Sequence, residues 1–265
     1  MNSKNEWIHF GPEIKSTRAT LSLNGPWAFA IDGEDEGEAK EWMHGSPVFE
    51  GTIKVPGAWQ AQGYGSGALS EKAAAAHEQA PEAREFDNMR FHRFGWYQRT
   101  FSLPKTWQGK RIWLRLGGVK GGVKIWVNGH FHGETDSLHT PLKCDISQSI
   151  IYDEINTVVL KVKNNSQYLE SPWDSAYSGN WGGPYRSIHI EATDVAWIEE
   201  LEMVPEASTG RIKMRVFFAG DLGEGKLSVS ASIKEVAGGQ EVTQADSDVN
   251  IAAGPLCNMT LEVKD

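Results

Sequence analysis

The sequence predicts an all-β protein made of two consecutive antiparallel sandwiches. Three observations carry that reading. Apolar residues recur at every second position through most of the chain, turn signals separate these runs, and the character of the runs changes near Asp194. Period two puts alternate side chains on opposite faces, so each run is a strand with one face buried. Half-buried antiparallel strands pair into a sandwich or a barrel.

Taken in order, Trp27, Phe29 and Ile31 point one way while Ala28 and Ala30 point the other. The run Tyr97, Arg99, Phe101, Leu103 stops at Pro104, which cannot continue a central strand. Ile112, Leu114 and Leu116 alternate with Arg111, Trp113 and Arg115. Val123, Ile125 and Val127 lead into Asn128-Gly129, the dipeptide that best tolerates the positive φ angles of a two-residue hairpin. Val158, Leu160 and Val162 repeat the pattern, as do Ile188 and Ile190. One segment breaks it. Residues 71–80, rich in helix formers and ending before Pro81, predict a short helix inside a long polar excursion from Gly63 to Arg90. Connections of that length in compact domains are usually functional or mobile.

Beyond Asp194 the strands read Trp197 to Val204, then Ile212, Met214, Val216 and Phe218, then Leu227, Val229, Ala231 and Ile233, then Met259, Leu261 and Val263. Their spacing is immunoglobulin-like, without the Cys…Trp…Cys signature of antibody domains. About five strands fit before Asp265, where that fold uses roughly seven. The expected division is therefore residues 1–194 and residues 195–265, the second domain cut short. An unfinished sandwich edge predicts pairing between copies, a homo-oligomer, because unpaired strand edges seek partners.

Composition narrows the function classes. With 265 residues, 40% of them apolar, the chain has the make-up of a globular protein. Net charge is −9, the acids are dispersed and no basic stripe exists, which argues against nucleic acid as a partner. No apolar run is long enough to span a bilayer, so no membrane role is expected. Met1 to Phe10 lacks a charged stretch followed by an apolar one, so no signal peptide is legible; a cytoplasmic protein fits, and so does an exported one whose leader has been removed. Cys144 and Cys257 lie far apart, in different predicted domains, which argues against a disulfide. The 11 Trp residues suit both core packing and stacking on sugar rings.

Seven segments, in order, resemble the N-terminal half of the family 2 glycoside hydrolases, the group of β-galactosidases, β-glucuronidases and β-mannosidases. They are Leu21 to Asp32, Val55 to Gln60, Gly95 to Phe101 with Pro104, Val123 to Gly129 with Gly133, Thr140 to Leu142, Asp145-Ile146, and Gly182 to Ile188. The resemblance implies a jelly-roll sugar-binding domain of the galactose-binding type, then an immunoglobulin-like domain, then a TIM barrel. The sequence holds no strand–helix alternation from which such a barrel could be built.

Retaining glycosidases need two carboxylates roughly 5 Å apart. In the family both are glutamates of the barrel, so no catalytic residue is expected in this chain. Glu82, Glu85 and Asp87 read as a solvated loop. The segment Ser171 to Arg186 is loop-like and interleaves Trp173, Tyr177, Trp181 and Tyr185. Family members place an Asp shortly before the closing signature, where it bonds the sugar; Asp174 occupies the corresponding place and Asn180 is the neighbouring alternative. A carboxylate accepts bonds from two adjacent hydroxyls, and Trp173 and Trp181 offer stacking faces. Arg186 is expected to tie the loop to the sandwich, with a carboxylate partner if partly buried. The galactosidase-type Asn motif is absent from Tyr64 to Leu69, which weakens specificity for galactose. His130, His132 and His139 have spacing compatible with zinc but read as solvated, and no acidic loop demands calcium, so neither metal nor cofactor is expected. The leading expectation is the non-catalytic front of a family 2-like β-glycosidase, with carbohydrate and its own C-terminal barrel as partners. A stand-alone carbohydrate-binding module and a non-enzymatic scaffold are the alternatives.

Overall fold

The computed structural model describes residues 18–45, 49, 51–64, 93–136, 140–164, 182–235 and 238–263. The expected helix at residues 71–80 lies outside them. The chain divides into two compact units, one spanning Ala19–Ala192 and one that joins Arg18 to the residues from Thr193 onward. Every described strand pairing is antiparallel. The chain is all-β, as its alternation predicts.

The first unit stacks two sheets. One holds β1 (Ala19–Ser22), β5 (Arg111–Leu116), β9 (Leu142–Asp145) and β12 (Ile188–Thr193), in the order β1-β12-β5-β9. The other holds β2 (Gly25–Asp32), β3 (Gly51–Val55), β4 (Arg93–Ser102), β7 (Gly122–Val127), β8 (His130–Thr135) and β10 (Ile155–Asn164), in the order β3-β2-β4-β10-β7-β8. Two short strands, β6 (Val119–Lys120) and β11 (Gly183–Pro184), pair at one end. The alternating residues meet between the sheets: Ile112, Leu114, Leu116, Ile188 and Ile190 face Trp27, Phe29, Val123, Ile125, Val127, Val158, Leu160 and Val162. At the hairpin joining β7 to β8, Asn128 and Gly129 take φ 50° and 78°. Both values lie in the left-handed region, as a type I′ turn requires.

The six-stranded sheet is covered on its outer face as well. Residues 33–45, ending in the single 3-10 turn Trp42–His44, lie over it. Trp42 packs edge-on against Trp96, which stacks on Trp126 with centroids 5.4 Å apart; Val159 completes this small second core. The Asp32 carboxylate, 3% exposed, fixes the covering segment. It accepts from the amides of Glu36 (3.0 Å) and Gly37 (2.8 Å) and from Trp96 Nε1 (3.0 Å). Beside it the Lys161 ammonium, on a side chain 5% exposed, reaches Asp35 Oδ1 at 2.5 Å and Glu38 Oε1 at 2.6 Å. It also lies over the Phe94 ring at 4.3 Å. A buried ammonium is tolerated only with such partners. Glu38 additionally takes Lys124 Nζ at 3.0 Å.

The second unit is smaller. β13 (Ala196–Glu206), β14 (Arg211–Gly220) and β17 (Leu256–Glu262) form one sheet, in the order β13-β14-β17; β15 (Lys226–Lys234) and β16 (Glu241–Asn250) form another. Val216, Cys257 and Met259 of the first pack on Val229 and Val249 of the second. β16 is the strand that the sequence reading leaves unnamed. Its inward positions include Thr243, Ala245 and Ser247, too polar and small to register as an apolar run. Arg18 belongs with this unit, its Nη2 donating to Ile198 O at 2.8 Å.

Replacing Asp32 with Ala strands three inward-facing donors. Leaving buried donors unpaired costs on the order of 1–3 kcal/mol each, so Asp32→Ala should lose about 3 kcal/mol in urea unfolding after partial relaxation. The acid limb should be set partly by Glu38. Burial pushes its carboxyl up, but hydrogen bonds and charge from Lys161 and Lys124 outweigh burial and hold its pKa below 4.5. A depressed folded-state pKa gives stability that is present above the unfolded value and lost as pH falls through the folded one. Between about pH 5 and about pH 3, Glu38→Gln should therefore flatten the fall of Tm seen in the parent.

Candidate functional site

Four of the sequence motifs meet at one end of the first unit. The cis Val55-Pro56 bond leads into Gly57-Ala58-Trp59, which runs alongside Gly182-Gly183-Pro184. The Gly57 amide donates to Pro184 O at 2.8 Å, and the Trp59 amide to Gly182 O at 3.1 Å. Gly183 has φ +120°, and a Cβ there would fall 2.6 Å from the Tyr97 hydroxyl. Only glycine fits, for its backbone angle and for that contact.

Beneath these backbones lies an aromatic cluster. Trp59 stacks on Tyr97 at 6.4 Å, and Phe29 meets the edges of Tyr97 (4.8 Å) and Tyr64 (4.6 Å). Trp59 occupies the space over Gly95, where a Cβ would sit 2.2 Å from its ring. The Tyr97 hydroxyl is fully buried and, among the described residues, has no hydrogen-bond partner; burial holds its pKa well above the ordinary tyrosine value. The Tyr64 hydroxyl donates to Thr52 O (2.8 Å) and accepts from Thr52 N (2.9 Å), pinning the chain where it leaves the sandwich.

This junction holds the ends of both long connections. Residues 65–92 follow Tyr64 and rejoin at Arg93; residues 165–181 follow Asn164 and rejoin at Gly182. Arg93 and Asn164 are register partners in the β4–β10 ladder. The four expected sugar-contact residues, Trp173, Asp174, Asn180 and Trp181, lie outside the described residues, as do Tyr177, Glu82, Glu85, Asp87 and His139. Of the signature that closes the domain, Tyr185 is half-buried above Gly118, where a Cβ would come 2.8 Å from its ring. Arg186 is exposed rather than partly buried, its guanidinium 5.7 Å from the Tyr185 ring centroid.

Of the three histidines singled out in the sequence, His132 is held by hydrogen bonds. His132 has Nδ1 2.9 Å from Asp145 O and Nε2 2.8 Å from Ser149 Oγ, so both ring nitrogens are occupied within the protein. The neighbouring Cys144 is a free thiol whose pKa burial, with the charge of Asp145, pushes up to about 11, where it is a poor nucleophile. Sequence reasoning missed the Lys161 cluster on the outer face. Its signal was the phase of Ile155–Asn164, where Lys161 and Lys163 fall opposite to Val158, Leu160 and Val162.

Comparison with known proteins gives these joints a context. Residues 20–194 match the model of the glycosyl hydrolases family 2 sugar binding domain. The chain is 25% identical over 222 residues to a beta-galactosidase of Priestia megaterium, covering 83% of this chain and 20% of that one. It is 22% identical over 193 residues to a beta-glucuronidase of Bacteroides fragilis, covering 73% of this chain and 23% of the other. It thus spans about a fifth of the length of these curated relatives. The solved apo structure of b-glucuronidase from Ruminococcus gnavus superposes with a TM-score of 0.67 at 20% identity, over 97% of this chain and 41% of that one, a likeness of fold. With a family match over most of its length, the chain belongs to glycosyl hydrolase family 2 through its sugar binding domain.

Proposed function

We propose that this chain is the non-catalytic N-terminal region of a retaining β-glycosidase, and that it forms one wall of a carbohydrate pocket completed by a TIM barrel of the same protein. The observation that carries the reading is the junction. Family motifs from four parts of the sequence converge on a buried aromatic base, and both long connections start and end there. A rigid base of this kind suits loops that must present polar groups to a ligand with little freedom, since loops on a fixed scaffold carry most binding residues. In this reading Asp174 accepts bonds from sugar hydroxyls, Asn180 assists it, and Trp173 and Trp181 pack on the C–H face of the ring. The glutamate pair that breaks the glycosidic bond belongs to the barrel.

The test is steady-state kinetics on the complete gene product with aryl β-galactoside and β-glucuronide substrates. A site built to bond hydroxyls discriminates strongly when its polar group is removed, so Asp174→Ala should lower kcat/KM by about 100-fold. The 265-residue chain alone should give no turnover. Turnover by this chain alone, or unchanged kinetics in Asp174→Ala, would contradict the proposal. A complete gene product without glycosidase activity that still binds sugar would instead identify a stand-alone module.

A further inference from the structure

We propose that the outer face of the six-stranded sheet carries a carbohydrate-binding cleft that takes a neutral sugar unit. The cleft encloses about 440 Å³ and is walled by Asp35, Glu38, Phe94, Lys124, Glu134 and Lys161, with Asp136 and Lys163 at its Gly122 end. That volume falls among small-ligand sites, roughly 300–1,000 Å³.

The strand register builds it. One row across the sheet reads Trp96, Lys161, Lys124, Glu134; the next reads Phe94, Lys163, Gly122. Gly122 has no side chain to project, so the second row sinks where the first stands up. A Cβ at Gly122 would come 2.3 Å from Asp136 Oδ1, so the glycine is also what lets that carboxylate lean over the floor. Asp35 and Glu38, on the segment anchored by Asp32, close the opposite side through Lys161.

The lining selects the ligand. Four carboxylates (Asp35, Glu38, Glu134, Asp136) stand against three ammonium groups (Lys124, Lys161, Lys163), a balance of −1. Lys161 and Lys124 are already engaged by Asp35, Glu38 and Glu134. An anionic ligand would meet more like charge than unlike. A neutral polyol meets alternating acceptors and donors, carboxylates accepting hydrogen bonds from its hydroxyls and ammonium groups donating to its oxygens. Phe94, half-buried at the wall, gives an apolar edge for a ring's C–H groups. A divalent cation is a poorer fit, because no group of three or more metal-binding side chains occurs among the described residues.

The inference stands independently of the pocket proposed for Asp174, and the experiment separates the two. The ¹⁵N-labelled chain is titrated with lactose, cellobiose and maltose, and with glucuronate as the anionic comparison. At least one neutral disaccharide should shift the amides of Phe94, Gly122, Lys124 and Lys163 with a Kd of order 1 mM. Glu134 and Asp136 are both exposed, so the double variant Glu134→Ala/Asp136→Ala should keep its Tm while binding weakens about 10-fold. Trp173→Ala should leave these shifts intact. The inference is overturned by silence with all three disaccharides or by shifts unchanged in the double variant. It is equally overturned by tighter binding of glucuronate, or by loss of the shifts in Trp173→Ala, which would place the sugar at the Asp174 loop.

Discussion

The register of β4 against β10 is the constraint from which the rest of the first unit follows. Ten consecutive pairs, from Ile155 opposite Ser102 to Asn164 opposite Arg93, hold the two longest strands of the sandwich together. In that register Tyr97, Val158, Leu160 and Val162 face the main core, while Trp96, Val159, Lys161 and Lys163 face the other way. A slip of one residue would turn Lys161 and Lys163 into the apolar layer, at several kcal/mol for each unpaired ion. A slip of β4 instead would turn Trp96 inward, away from Asp32, and remove part of the anchor of residues 33–45. The same ladder ends at Arg93 and Asn164, so one long connection rejoins the fold where the other leaves it.

The motifs that mark the family in sequence act here as joints. Asn24 accepts from the Ile188 amide at 2.9 Å and so ties the first turn to the closing signature. Asn128 donates to Ser149 O and to Asn156 Oδ1, and accepts from the Thr157 amide, locking the hairpin onto β10. The glycines permit contacts between backbone and aromatic ring that any side chain would prevent. Their contacts within the fold are hydrogen bonds and close backbone packing. Together they give a rigid end to a sandwich, and a rigid end is what a binding loop needs.

Much of this architecture was legible because it follows from period two. The strands around Trp27, Tyr97, Ile112, Val123, Val158 and Ile188 announce themselves by alternation, and Asn128-Gly129 specifies its turn chemically. What was not legible depended on contacts distant in sequence. Residues 33–45 have no periodicity, and their place over Trp96 comes from an Asp32 carboxylate bonded to its own next turn and to a ring 64 positions away. β16 is held by its partner strand more than by its own composition. The Lys161 cluster needed the register to set Lys124 beside Lys161, and the covering segment to bring Asp35 and Glu38 to Lys161. Trp173, Asp174, Asn180 and Trp181, chosen by resemblance, lie outside the described residues.

Because the two-faced sheet rests on one alignment, the most direct test is that alignment in solution. Nuclear Overhauser contacts between backbone protons report strand partners residue by residue. The account predicts contacts joining Lys161 to both Trp96 and Lys124, and Leu160 to both Tyr97 and Ile125. Contacts displaced by one position, pairing Lys161 with Tyr97 or Gly95, would contradict it.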